Sequence, residues 1–201
     1  KEITFKDKFN HTSSLLTPTG NDAFIASFAS DGTMLNLIRG GFGGISYGND
    51  IAVNNNGVYI TGVDGTDANA KHCFVSKYNT ALALQRTLTM TGAYSEGTSI
   101  DLDAAGNVYV AGYFGGTAQT INVGPVGLST TAPGNSDVFV YKLTDITANV
   151  QPYWAKKGST DISYGGLVKA DAAGNLYLAG NFGSQVTFGN TVGGSNASYT
   201  G

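Results

Sequence analysis

Charge, proline and cysteine are all scarce in this chain of 201 residues. Only 12% of residues are charged, and 11 Lys and Arg stand against 14 Asp and Glu, for a formal net charge of -3. The basic residues are scattered, which argues against nucleic acid as a partner, because that needs clustered Lys and Arg. The single cysteine, Cys73, excludes an internal disulfide framework and a cysteine-based zinc site. No apolar run is long enough to cross a bilayer, so no direct membrane insertion is expected. No segment keeps a helical period, so the strand-to-helix turn that a nucleophile elbow needs is not expected. The four prolines accompany 29 glycines, a composition of many turns without collagen-like or disordered character.

What is present is repetition. The stretch "DLDAAGNVYVAGYFGG" (101–116) returns as "KADAAGNLYLAGNFGS" (169–184) and more loosely as "AVNNNGVYITGVDG" (52–65). This aligns Tyr59 with Tyr109 and Tyr177, and Gly62 with Gly112 and Gly180. A second unit recurs as "NDAFIASF" (21–28), "KHCFVSKY" (71–78) and "SDVFVYKL" (136–143), anchored by Phe24, Phe74 and Phe139. From Phe to the following Tyr the separations are 35 (24 to 59), 35 (74 to 109) and 38 (139 to 177). From Tyr to the next Phe they are 15 (59 to 74) and 30 (109 to 139). A nearly constant module is therefore joined by a connector that tolerates insertion.

Each module reads as four strands. In the second, "GTSIDLD" is followed by "NVYVAGYF", "DVFVYKLT" and "QPYWAKKG". Alternation in "NVYVAGYF" puts Val108, Val110 and Phe114 on one face and Tyr109, Ala111 and Tyr113 on the other. Both faces are apolar or small, so both must be covered. The fold class expected is all-β, with four-stranded antiparallel sheets stacked as β-propeller blades and about three blades' worth of strands. The N-terminal "ITF" (3–5) resembles "VTF" (186–188), which implies an incomplete blade at each end of the 1–201 repeat region. The chain opens at Lys1 without an apolar leader. It is expected to be a processed or excerpted piece of a longer multidomain array, or half of a ring that self-association completes.

"GxxxADAAGNLYLAG", "SDVFVYKL", "WAKKGS" and "ISYGG" together resemble the bacterial β-propeller repeat called SBBP, related in pattern to NHL-type blades. The resemblance covers nearly the whole chain and is weakest in the first module, where "NNNG" is a residue shorter than "DAAGN". It implies an exported or cell-surface bacterial protein, gives Trp154 a structural aromatic position, and carries over no catalytic residue. Low lysine with abundant Thr, Asn and Gly suits the same location.

Candidate chemistry is sparse. The D-x-D-x-x-G spacing from Asp101 suggests a calcium loop, but an EF-hand needs a bidentate Glu at position twelve, where Gly112 stands. Only Asp103 and Asp171 recur, ahead of Gly106 and Gly174, which predicts a turn and no metal or cofactor. Cys73 aligns with Ala23 and Val138 as a small buried hydrophobe, and His72 falls at an exposed strand start. The pair "RGGFGG" (39–44) precedes no helix and is not a phosphate loop. "NHT" (10–12) and "NAS" (196–198) match the glycosylation pattern. Glu96 is the one acid without a turn role. It and Asp50 are the carboxylates that an enzymatic reading, carbohydrate-acting at a channel, would use.

Tyr47, Tyr94 and Tyr164, in "SYGND", "AYSEG" and "SYGGL", each precede the strand expected to be innermost. If they are equivalent they form a recurrent set of ligand-binding rings; the bland alternative is packing between blades. The function expected is a non-enzymatic interaction or display module binding a protein or glycan. Specificity would lie in the variable connectors, the longest being 115–136 and 183–201, and removal of 115–136 should spare folding yet abolish partner binding. A purely structural spacer or filament subunit is the third reading.

Overall fold

The computed structural model describes residues 2–7, 9, 12–16, 21–41, 44–65, 71–116, 120–130, 132–144, 146, 152–159, 163–183, 185–188 and 197–200. Among them the chain is all-β and its paired strands are antiparallel. No helix is long and apolar enough to cross a membrane. Asn10, His11 and Asn196, and with them the glycosylation-type motifs, lie outside the described residues, as do Phe42 and Gly43.

Strands β1 (Glu2–Lys6) and β2 (Thr12–Leu16) form a hairpin, and β3 (Phe24–Phe28) pairs with β4 (Met34–Arg39). A four-stranded sheet follows in sequence order: β5 (Ile45–Asn54), β6 (Gly57–Gly65), β7 (Lys71–Tyr78) and β8 (Leu84–Thr89). After the short β9 (Thr91–Gly92) comes β10 (Tyr94–Leu102), which pairs with β11 (Val108–Gly115). The hairpin of β12 (Thr120–Val123) and β13 (Val126–Ser129) is inserted before β14 (Ser136–Leu143) and β15 (Pro152–Ser159) complete that sheet. Last come β16 (Ser163–Ala170) with β17 (Leu176–Phe182), then a hairpin of β18 (Gln185–Phe188) and β19 (Ala197–Thr200) that pairs onto β15. The four-strand module expected from the repeat is thus present twice in full, with a two-stranded portion before and after.

Alternation places the core as the sequence predicts. Val108, Val110 and Phe114 join Tyr59, Cys73 and Val75 of the preceding sheet in one buried cluster. Tyr109 and Ala111, on the opposite face, pack with Val168, Leu176 and Leu178 of the next. Trp154 is half-buried against that second cluster, its ring 6.3 Å from Tyr109. Apolar cover on both faces is what lets sheets stack. β10 accordingly packs on β5, β6 and β7, and β16 packs on β10, β11 and β14.

The connector 115–136 departs from expectation. Its β12–β13 hairpin is tied by pairing to β9, and Ile121, Val123 and Leu128 are buried in the main core. The connector is therefore a structural insert with one apolar face, and deleting it will not spare folding. Of the connector 183–201, the strands β18 and β19 repeat the arrangement by pairing onto β15.

Candidate functional site

The recurrent Asp resolves first. Asp103 Oδ1 accepts from the backbone N–H of Ala105 at 3.0 Å and of Asn107 at 2.9 Å, and Oδ2 accepts from Tyr109 OH at 2.9 Å. Asp171 makes the same bonds with Ala173, Asn175 and Tyr177. Gly106 and Gly174 both adopt φ +82, which a side chain would strain. Burial pushes the Asp103 carboxyl up, but the Asn107 and Tyr109 hydrogen bonds and the Lys142 charge leave it below its ordinary value. Asp171 is lowered chiefly by the Asn175 side chain. Both carboxylates are turn-forming acceptors.

Asp101 has a separate task that sequence reasoning missed. Its Oδ2 accepts from Ala170 N at 2.8 Å, on the next sheet, and Lys169 Nζ lies 3.4 Å from Oδ1. Asp50 works the same way one sheet earlier, taking Ile100 N and Ser99 Oγ at 2.9 Å each. Ser99 Oγ accepts from Val168 N at 3.2 Å. Three amides of the edge strands β10 and β16, those of Ile100, Val168 and Ala170, are thereby satisfied by side chains of the strand in front.

Glu96 gathers three side-chain donors from two sheets. Its Oε2 accepts from Tyr94 OH at 2.6 Å and Tyr113 OH at 2.8 Å, and its Oε1 from Asn49 Nδ2 at 2.9 Å. Asn49 also donates to Gly97 O at 2.9 Å, bridging β5 to β10. Burial raises the Tyr94 phenol above its ordinary value, and the neighbouring Glu96 and Tyr113 add to the rise. Burial likewise pushes Tyr78 up to about 12 and Tyr141 well above 10. Neutral phenol is thus favoured in the folded state. That stabilisation is complete below pH 10 and is lost as pH rises above it toward each folded value. In a spectrophotometric titration, these three of the eleven tyrosines should ionise only as the protein unfolds. A single ionisation step near pH 10 for all eleven, with the fold intact, would contradict the burial.

The three candidate tyrosines are not equivalent. Tyr47 pairs with Val63 and Tyr164 with Asn181, each one residue beyond the recurrent Gly62 or Gly180. Tyr94 pairs with Gly115, three beyond Gly112, and the counterpart of Tyr47 is Glu96, opposite Tyr113. All three lie within strands β5, β10 and β16 and do not precede them. Tyr94 is committed to Glu96; the Tyr164 side chain lies outside the described residues. Tyr47 stays 38% exposed, accepts from Asn21 Nδ2 at 2.8 Å, and has Lys71 Nζ 5.0 Å over its ring. With Asn21 and Asn49 it lines an open cavity of about 490 Å³.

Cys73 is fully buried, and burial pushes its thiol up to about 12. Its Sγ lies 3.9 Å from both Thr61 Oγ1 and Tyr141 OH, so it is a packed hydrophobe and no nucleophile. His72, expected to be exposed, is half-buried with Nδ1 3.2 Å from Ala93 O. Its counterparts Asp22 and Asp137 form ion pairs with Arg39 and Lys157 of the neighbouring strand. No group of three or more His, Cys, Asp or Glu side chains suited to a metal ion occurs among the described residues. No family profile matches the sequence, and no curated protein matches it.

Proposed function

We propose that this chain is a run of β-propeller blades acting as a non-enzymatic interaction module of an exported or cell-surface protein, binding a protein or glycan. Two complete four-stranded units stacked face to face support the architectural part, together with the resemblance to SBBP-type repeats. The observation that carries the binding part is the two-faced hairpin β12–β13. While Ile121 and Val123 point into the core, the alternate positions Thr120, Asn122 and Ser129 are exposed, with the two hydroxyls 2.8 Å apart. The repeat leaves this position free to vary: the corresponding connector between β6 and β7 spans only 66–70. Variation on a rigid support is how a scaffold acquires specificity. The exposed Tyr47 ring with Asn21 and Asn49 offers a second polar–aromatic surface of the kind that sugars and protein loops use.

The enzymatic alternative requires a free acid pair. Both acids it would use are already hydrogen-bonded: Glu96 to Tyr94, Tyr113 and Asn49, and Asp50 to Ser99, Ile100 and Ile51. The test is a glycan array and immobilised surface proteins probed with the wild type, Thr120→Lys with Asn122→Lys, and Glu96→Gln. The double lysine variant should bind at least about tenfold more weakly with an unchanged melting temperature. Undiminished binding by that variant, or glycan hydrolysis abolished by Glu96→Gln, would defeat the proposal.

A further inference from the structure

The two-stranded portions at either end are opposite halves of one unit. In the repeat, β16–β17 occupy the place of β10–β11, and β3–β4 the place of β14–β15. Where both halves are present their register is fixed. Gly62 faces Phe74 and Gly112 faces Phe139; Tyr59 faces Lys77 and Tyr109 faces Lys142. Carried to the ends, that register sets Gly180 opposite Phe24 and Tyr177 opposite Ser27.

We propose that the edge of β17 that pairs with no strand among the described residues, and the cavity beside it, receive strand β3 of a second copy of this chain, with Phe24 as the anchoring side chain. The socket is visible in its filled form. The Phe139 ring lies over Gly112, where a Cβ would come within 2.7 Å of Cζ, and 6.4 Å from the Phe114 ring. It shares its buried cluster with Cys73 of the preceding sheet. At this edge the counterparts are Gly180 and Phe182 of β17 and Val138 of β14 on the preceding sheet, and these three line an apolar cavity of about 280 Å³. A cavity of roughly 150 Å³ suffices for a benzene ring.

Donor and acceptor are both under-buried beside their counterparts. Phe24 is 45% exposed where Phe74 and Phe139 are 0%, and Tyr177 is 62% exposed where Tyr59 is 2% and Tyr109 1%. Adding a strand to such an edge satisfies its backbone and buries alternate side chains in pockets. Because one chain carries both halves, each copy can offer β3 and accept on β17. Two copies then close on one another, or a longer series forms if the rotation does not close. The β1–β2 hairpin stands in the way, since the Phe5 ring lies 5.3 Å from Phe24. It pairs with no other strand among the described residues but packs on β4 and Phe28; it must swing aside for β3 to dock, so removing residues 1–16 should strengthen the association.

Sedimentation across a concentration series tests this. The 20.7 kDa chain should sediment as multiples of that mass as concentration rises. Phe24→Asp and Phe182→Asp should each weaken association at least about tenfold, and deletion of 1–16 should tighten it. A second arm is independent of those variants. Ser27→Cys and Tyr177→Cys chains, mixed and mildly oxidised, should join covalently, whereas Ser27→Cys with Ala179→Cys should not; Cys73, fully buried, stays silent. A monomer at every concentration, association indifferent to both charges, or no Ser27–Tyr177 cross-link would overturn the proposal. Binding through the β12–β13 hairpin does not involve Phe24, so the two readings fail separately.

Discussion

Gly112→Ala should destabilise the protein by at least about 3 kcal/mol, enough to unfold much of it at ambient temperature. A Cβ at this position would collide with the carbonyl oxygen of Glu96 on β10 and crowd the Phe139 ring. Both neighbours are fixed, one as backbone in a paired strand and the other as a fully buried ring. The side chain can be admitted only by parting β10 from β11 or by expelling Phe139. Gly62→Ala should behave alike, because its Cβ would meet the Tyr47 carbonyl oxygen. Gly127, on the outward face of the β12–β13 hairpin, sets the scale: a Cβ there meets nothing closer than 3.4 Å, so alanine should change stability by less than about 0.5 kcal/mol. Urea denaturation of the three variants measures this, and equal midpoints for Gly112→Ala and Gly127→Ala would refute the close-approach argument.

Removal of residues 117–132 is the second large effect. The ends of the deletion already lie together, since Gly116 N donates to Asn135 O at 3.3 Å and Gly134 N to Gly116 O at 3.0 Å. Reconnection is therefore feasible, and loss of chain geometry will not confuse the result. What is lost is the burial of Ile121, Val123 and Leu128. At about 1.5–3 kcal/mol for each fully buried side chain, the sum is comparable with the whole stability of a typical domain, about 5–15 kcal/mol. The hairpin also covers Met90 and Phe114, members of the same cluster, which the deletion would expose. The shortened chain should lose its cooperative thermal transition or melt far earlier. A transition unchanged from wild type would show that the hairpin is an ornament and would revive the free-loop reading of 115–136.

The fold was legible in the sequence wherever it repeats. Tyr59, Tyr109 and Tyr177 recur because each sits at the same point of a second strand, and Gly62 and Gly112 recur because a neighbouring backbone touches them. The Asp103 turn was legible for the same reason, its carboxylate oxygens being aimed at local N–H groups in both copies. The inequivalence of Tyr94 was legible as well: Tyr47 stands one residue before Gly48, which pairs with Gly62, whereas Tyr94 stands three before Gly97, which pairs with Gly112. What the sequence did not mark is the irregularity that interrupts each of these pairings, at Gly48/Asp50, Gly97/Ser99 and Tyr164/Gly166. Asp101 was left without a role in the sequence because its partner, Ala170 N, lies on another sheet. The hairpin core did leave a signal: Ile121 and Val123 alternate before Gly124–Pro125, and Leu128 follows it. Two four-residue strands are too short for alternation to be decisive.

The central claim is that each sheet is joined to the next through side chains of its first strand, which makes the stack one rigid support for the surfaces it displays. Amide hydrogen exchange at Ile100, Val168 and Ala170 tests it most directly. These N–H groups belong to edge strands, yet they donate to Asp50, Ser99 and Asp101 of the sheet in front. All three should be protected like the interior of a sheet, and Asp50→Ala should release Ile100 while leaving the amides of β14 protected. Exchange of the three amides at the rate of an open edge would contradict the account.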